Sequence, residues 1–163
     1  MPELTVERAR ELLSYDPETG FLTWLCRRGR YHQGEVAGFL TPYGYIDIQV
    51  DARKHKAHRL AWLLTYGVWP TLDIDHINGN RADNRMVNLR EVTRSTNLQN
   101  QRASHTDNRL GMIGAYWIEI KKKYRSTIYV SGKQTHLGYY TTPEAAHQAY
   151  LTAKRRLHAG CTI

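Results

Sequence analysis

Residues 73–101 read DIDHINGNRADNRMVNLREVTRSTNLQNQ, and the order of elements inside this stretch decides the fold. LDIDHI (72–77) has the alternation of a short strand. NGN (78–80) is a turn signal, because Gly and Asn tolerate positive φ. MVNLREV (86–92) reads as a second short strand, and RSTNLQNQR (94–102) opens a helix with Thr93 or Ser95 as its cap. The order is strand, polar loop, strand, helix. Such a stretch has too few apolar side chains to build a core and too many hydrogen-bonding ones to bury without purpose.

Upstream, Thr5 to Leu13 places Val6, Ala9, Leu12 and Leu13 on one face of a short amphipathic helix. YDPETG (15–20) carries turn chemistry, and FLTWL (21–25) reads as a strand followed by a loop, RRGRYHQGEVAG (27–38). In GYIDIQV (44–50), Ile46, Ile48 and Val50 alternate with Asp47 and Gln49, so one face of this strand is apolar. DARKHKAHRLAWLLTYG (51–67) turns at Asp51 and runs into an apolar helix around Leu60 to Leu64 that Gly67 closes.

Downstream, residues 102–110 are polar and unpatterned and read as a linker. GAYWIEI, YRSTIYV and THLGYY then give three strands, with KKK and SGK between them. Thr142-Pro143-Glu144 is a helix start with Pro at the first helical position and an acid in the first turn. Ala146, Ala149, Ala153 and Leu157 form its small-residue face.

Charge separates the two regions. Residues 1–93 hold 12 Lys/Arg and 12 Asp/Glu, whereas residues 94–163 hold 11 Lys/Arg and 3 Asp/Glu, the whole of the +8 excess. A block of that sign attracts a polyanion, and nucleic acid is the commonest one in a cytosol. Cys26 and Cys161 are the 2 cysteines of the chain, too few for a disulfide framework or a four-ligand structural zinc site. A reducing, cytoplasmic setting follows. The N-terminus has no signal-peptide pattern, and no apolar run approaches the ~20 residues of a membrane span.

Hydrolysis of a phosphodiester needs an activated water, a counter-charge for the crowded transition state and help for the departing oxyanion. A neutral imidazole can take the proton, because its unperturbed pKa of ~6.5 lies near working pH. Mg²⁺ prefers oxygen ligands and few protein contacts, so one carboxylate and one amide carbonyl suffice. Asp75, His76 and Asn97 are the residue types this scheme asks for. Calcium is excluded: DIDHINGNRADN has the length of an EF-hand loop, but Ile77, Asn78 and Asn84 stand where a ligand, the glycine and the glutamate belong. Neighbours on a regular strand point to opposite faces, so Asp75 and His76 can serve one phosphate only where the strand ends and bends into its turn.

The segment resembles the HNH endonuclease motif, two strands and a helix around one metal ion, in the form DHxNG…DNR…NL…T…N…N known from phage and homing endonucleases. LLSYDPETGFLTW, GYIDI and HRLAWLLTYGVWP extend the resemblance over roughly residues 5–101. The resemblance implies that His76 is the general base and that Asp75 and Asn97 hold the metal. It makes Asn88 the central asparagine that ties the loop to the backbone and so holds His76 in place. Many family members carry histidine where Asn97 stands, which suggests Mg²⁺, with Mn²⁺ able to substitute. His58 and Arg59 are candidate phosphate contacts, with a structural role the better reading for His58; Asn84 and Asn100 read as loop and helix hydrogen-bonders.

Residues 111–160 resemble a DNA-binding domain of the APETALA/ethylene-response-factor type, on GAYW, KKKYRSTIYV, LGYYTTPEAAHQAY and RRLHAG. That resemblance implies a three-stranded sheet over the major groove of double-stranded DNA with the helix behind it. Candidate contacts are Arg109, Tyr116, Lys121, Lys122, Lys123, Arg125, Tyr129 and Lys133. The expectation is therefore an α+β protein: an HNH nuclease domain with a ββα-metal core over 1–101, a linker over 102–110 and a DNA-holding module over 111–163. A reading of another class is a DNA-binding regulator with an inactive HNH domain, and the intact set Asp75, His76, Asn88 and Asn97 weighs against it.

Overall fold

Helix α1 (Val6–Leu12) starts where Thr5 caps it, its hydroxyl accepting from the Arg8 amide, and it buries Ala9 and Leu12. The computed structural model describes residues 4–101, 108, 110–158 and 160–162. The helix ends directly in strand β1 (Leu13–Tyr15), which pairs antiparallel with β2 (Leu22–Trp24). The sequence reading expects the strand at β2 but has a helix end and a turn where β1 forms. The short pairing forms because Leu13, Leu22 and Trp24 all bury on one side of the hairpin.

A second sheet holds β3 (Phe39–Leu40), β4 (Ile46–Val50) and β5 (Arg53–Lys56) in that order. Ile48 and Val50 are fully buried, as the alternation predicts. Helix α2 (Ala57–Tyr66) follows β5 without a break and closes on Gly67, whose φ of 77° gives the left-handed cap. Its Leu60 and Leu63 join Ile48, Val50, Leu12, Leu13 and Trp24 in the main core of this region. Each such buried aliphatic side chain contributes about 1.5–3 kcal/mol. Strands β6 (Asp73–His76) and β7 (Leu89–Val92) pair antiparallel beside α2. Residues Met86–Asn88, predicted as the start of the second strand, instead form one turn of 3-10 helix. The reason lies in Asn88, which turns inward to hydrogen-bond the loop rather than continue a ladder.

The chain packs as two compact units, Met1–Thr93 and Arg94–Ile163. Helix α3 (Arg94–Gln99), which the sequence reading joins to the hairpin before it, belongs to the second unit. There the Gly160 amide donates to Gln99 Oε1 at 3.1 Å, Lys154 Nζ donates to the Gln101 carbonyl at 2.5 Å, and the Thr162 hydroxyl meets Asn100 Oδ1. The rest of this unit is an antiparallel sheet of β8 (Ala115–Ile118), β9 (Lys123–Val130) and β10 (Lys133–Tyr140) with β9 central, followed by α4 (Pro143–Leu157). Thr142 caps α4 as predicted, accepting from the Ala145 amide. The helix lays Tyr150 and Ala153 on Ile128 of β9, so the sheet has one covered face and one open face. Among the described residues no helix is long and apolar enough to cross a membrane.

Candidate active site

Strand β6 ends at His76 because the chain turns there: the Gly79 amide donates to the His76 carbonyl at 2.8 Å. Asp75 and His76 are its last two residues, opposite Arg90 and Leu89 of β7. Regular pairing through His76 sends their side chains to opposite faces. His76 shares the face of Ile74, which packs on Ala61 and Trp62 of α2. Asp75 shares the face of Arg90. Both are buried, at 6% and 4% exposure.

The Asp75 carboxylate is clasped by a residue that the sequence reading misses. Arg90 donates from Nε and Nη2 to Asp75 Oδ2, at 3.0 and 2.8 Å. The hairpin register makes this pair, since the two residues face each other directly across the strands. It could have been found by counting the turn, had the start of β7 been placed three residues later.

The His76 ring is enclosed on several sides. Its centroid lies 5.0 Å from that of His58, edge to face, and 6.0 Å from that of Tyr45. Nε2 is 3.3 Å from Asn84 Oδ1. Burial lowers the His76 pKa, partly offset by the Asn84 bond and the Asp75 and Asp83 charges, so the imidazole is neutral near neutral pH. His58 is pushed down to about 3, first by burial and then by its cationic neighbours and His76. It is 7% exposed, and among the described residues its Nδ1 has no hydrogen-bond partner. Arg59, the other candidate phosphate contact, donates to the carbonyls of Pro70 and Leu72 and lies 5.9 Å from the Trp69 ring centroid.

The low pKa of His58 has a consequence for stability. The unfolded chain takes up a proton on this histidine near ~6.5, whereas the folded one does so only near 3. Between those values the unfolded state holds the extra proton, so stability is full above the upper value and falls as pH drops toward the lower. The slope from His58 is about 1.4 kcal/mol per pH unit, and the lowered pKa of His76 acts in the same direction. Urea titrations followed by tryptophan fluorescence are expected to show about 2 kcal/mol less stability at pH 5 than at neutral pH from this residue. His58→Phe should remove that part of the dependence.

Asn88 lies at the end of the 3-10 turn and is 5% exposed. Its Oδ1 accepts from the Asn78 amide at 2.9 Å, and its Nδ2 donates to the Asp83 carbonyl at 2.7 Å. Its own carbonyl accepts from the Ile77 amide at 2.9 Å. One side chain thus ties Asn78, the second residue after β6, to Asp83 farther along the loop. Asn97 lies on α3 in the second unit.

The donor set limits what could be held here. Among the described residues no group of three or more His, Cys, Asp or Glu side chains could bind a metal. Asp75 is a buried carboxylate, and a hard ion that keeps most of its shell for water and phosphate, as Mg²⁺ does, needs few protein oxygens.

In the second unit the register sorts the remaining candidates. Ile128 faces α4, so Lys123, Arg125, Thr127 and Tyr129 project from the open face of β9. Arg125 lies opposite both Tyr116 of β8 and Tyr139 of β10, making one row across the sheet. Its buried Nε has no hydrogen-bond partner among the described residues. Lys121 stands at the edge with Nζ 4.0 Å from the Tyr139 ring centroid. Lys122 pairs with Glu119, and Lys133 is opposite Val130, on the side of α4. Arg109 lies outside the described residues. Tyr139 and His136, in ring contact at 4.7 Å, extend this surface; the alternation of THLGYY held the signal for Tyr139, but a bulge between His136 and Gly138 obscures it.

Comparison with known proteins bears on the hairpin. Residues 55–99 match the family model described as HNH endonuclease. Comparison with curated proteins gave no match. Among solved structures, the HNH homing endonuclease I-HmuI, described in terms of DNA binding and cleavage, is similar at 19% identity. The similarity covers 91% of this chain and 88% of that chain, with a TM-score of 0.44. The part of the chain that is similar to HNH endonucleases therefore runs from β5 to the end of α3 and contains Asp75, His76, Asn88 and Asn97.

Proposed function

We propose that this protein is a DNA endonuclease that hydrolyses phosphodiester bonds with the help of one divalent cation. The observation that carries the reading is the setting of His76: a buried imidazole, its pKa lowered by that burial, at the end of β6, beside a buried carboxylate and inside the HNH-matched segment. A neutral imidazole accepts the proton of the attacking water. The water oxygen bonds to phosphorus, the bond to the 3′ oxygen breaks, and a 5′-phosphate and a 3′-hydroxyl result. Asp75 and Asn97 would hold Mg²⁺, with Mn²⁺ as a substitute; the ion supplies counter-charge to the phosphate and the departing oxygen. Asp75 and His76 leave β6 on opposite faces, so one phosphate would meet both only beyond the end of the strand. Asn88 holds the loop after His76 to the turn before β7.

The second unit is proposed to hold double-stranded DNA on the open face of its sheet, in the manner its APETALA-type resemblance implies. Lys123, Arg125, Tyr116 and Tyr129 occupy that face, and all of the chain's net charge lies in this unit. Phosphate contacts by such residues make affinity fall steeply with salt.

A plasmid-nicking assay tests the whole reading. Supercoiled DNA is expected to be nicked or linearised in Mg²⁺ and to stay intact in EDTA. Intact plasmid under both conditions, with DNA still bound, would instead mark a DNA-binding protein with an inactive HNH domain.

A further inference from the structure

We propose that Asn84 is a positioning residue for His76: it fixes the ring with its hydrogen on Nε2, so that Nδ1 is the atom that accepts the proton. This inference rests on the reading of His76 as the general base and says which of its nitrogens does the work. The Asn84 Nδ2 donates to the Ala82 carbonyl at 3.3 Å, which turns Oδ1 toward the ring, 3.3 Å from Nε2. A carbonyl oxygen only accepts, so the ring nitrogen facing it must carry hydrogen. In a neutral imidazole the lone pair is then on Nδ1.

The device is anchored from outside the HNH-matched segment. Asn84 is 4% exposed, and its backbone carbonyl accepts from the Tyr15 hydroxyl of β1 at 2.7 Å. Two residues on, the Met86 amide donates to the Pro17 carbonyl at 3.1 Å. Gly20 completes the seat: at φ 77°, a Cβ there would lie 2.5 Å from the Arg85 nitrogen and 2.6 Å from the Asn84 carbonyl carbon. The β1–β2 hairpin therefore presses on the backbone of the residues that carry Asn84, and His58 and Tyr45 limit the ring from other directions. A ring held this closely needs no reorganisation when water arrives, and small misplacements of a reacting group can cost about a hundredfold in rate.

Imidazole nitrogen NMR shifts of the full chain, labelled at histidine, read the tautomer without reference to activity. The His76 pair is expected to show a protonated Nε2 and a pyridine-like Nδ1. Asn84→Leu, similar in size but unable to accept, should mix the tautomers and lower kcat about tenfold to a hundredfold, with KM for DNA and the Mg²⁺ dependence unchanged. Asn84→Asp keeps an acceptor and should preserve the Nε2–H form and most of the rate. Tyr15→Phe, which frees the Asn84 carbonyl and is safer for folding, should lower kcat several-fold in the same pattern. Wild-type shifts that report hydrogen on Nδ1, or an Asn84→Leu protein with unchanged kcat, would overturn the inference. His76→Ala separates the levels: if it cuts normally the base assignment itself is lost, whereas a dead His76→Ala beside a fully active Asn84→Leu removes only the role of Asn84.

Discussion

His76→Ala is expected to reduce DNA cleavage about 10²–10⁴-fold, the range that a positioned general base contributes, while DNA binding stays nearly unchanged. The separation follows from burial. With 4% of its surface exposed, His76 offers DNA little contact area, so its loss removes a proton acceptor rather than a binding group. The cost in folding should be modest. The substitution leaves a cavity beside His58 and Tyr45 and removes one bond to Asn84, but it also removes a buried group whose charged form is disfavoured. A circular-dichroism melt alongside single-turnover cleavage distinguishes lost chemistry from lost fold. A folded His76→Ala protein that cuts at the wild-type rate would end the proposed mechanism.

The sequence reveals residue types better than partners. The β6–β7 hairpin is legible because INGN can do little except turn and because Ile74 and Leu89 mark its covered face. Helix α4 is legible from Thr142-Pro143, a local signal whose capping bond the structure contains. What escapes is set by contacts distant in sequence. Tyr15 and Asn84 meet across 69 positions, and nothing in LLSY marks a strand that supports a loop so far away. Asp75 and Arg90 are 15 positions apart, and their pairing depends on where β7 begins, which the inward turn of Asn88 decides. Helix α3 shows the same limit. Its helical pattern is local, yet its grouping with the second unit rests on Gln99, Asn100 and Gln101 finding Gly160, Thr162 and Lys154.

Asp75→Ala is the second large effect, and its size depends on Arg90. A metal ligand that offsets phosphate charge supplies several kcal/mol in the transition state, so cleavage at millimolar Mg²⁺ should fall about 10²–10³-fold. Simple loss of a ligand would be overcome by adding more ion. Here the guanidinium of Arg90, which donates twice to Asp75 Oδ2, stays behind without that carboxylate. An arginine remains charged at any working pH, so the variant presents a cation where the proposed ion must bind. Excess Mg²⁺ or Mn²⁺ should therefore rescue Asp75→Ala only in part. Replacing Arg90 with leucine in the same protein should improve that rescue by lifting the repulsion. Asp75→Asn gives the matching control, because an amide oxygen still accepts from Arg90 but no longer carries charge. Titrations of cleavage rate against Mn²⁺ for the three variants check the argument. Wild-type rates for Asp75→Ala at ordinary Mg²⁺ would remove this carboxylate from the proposed metal site.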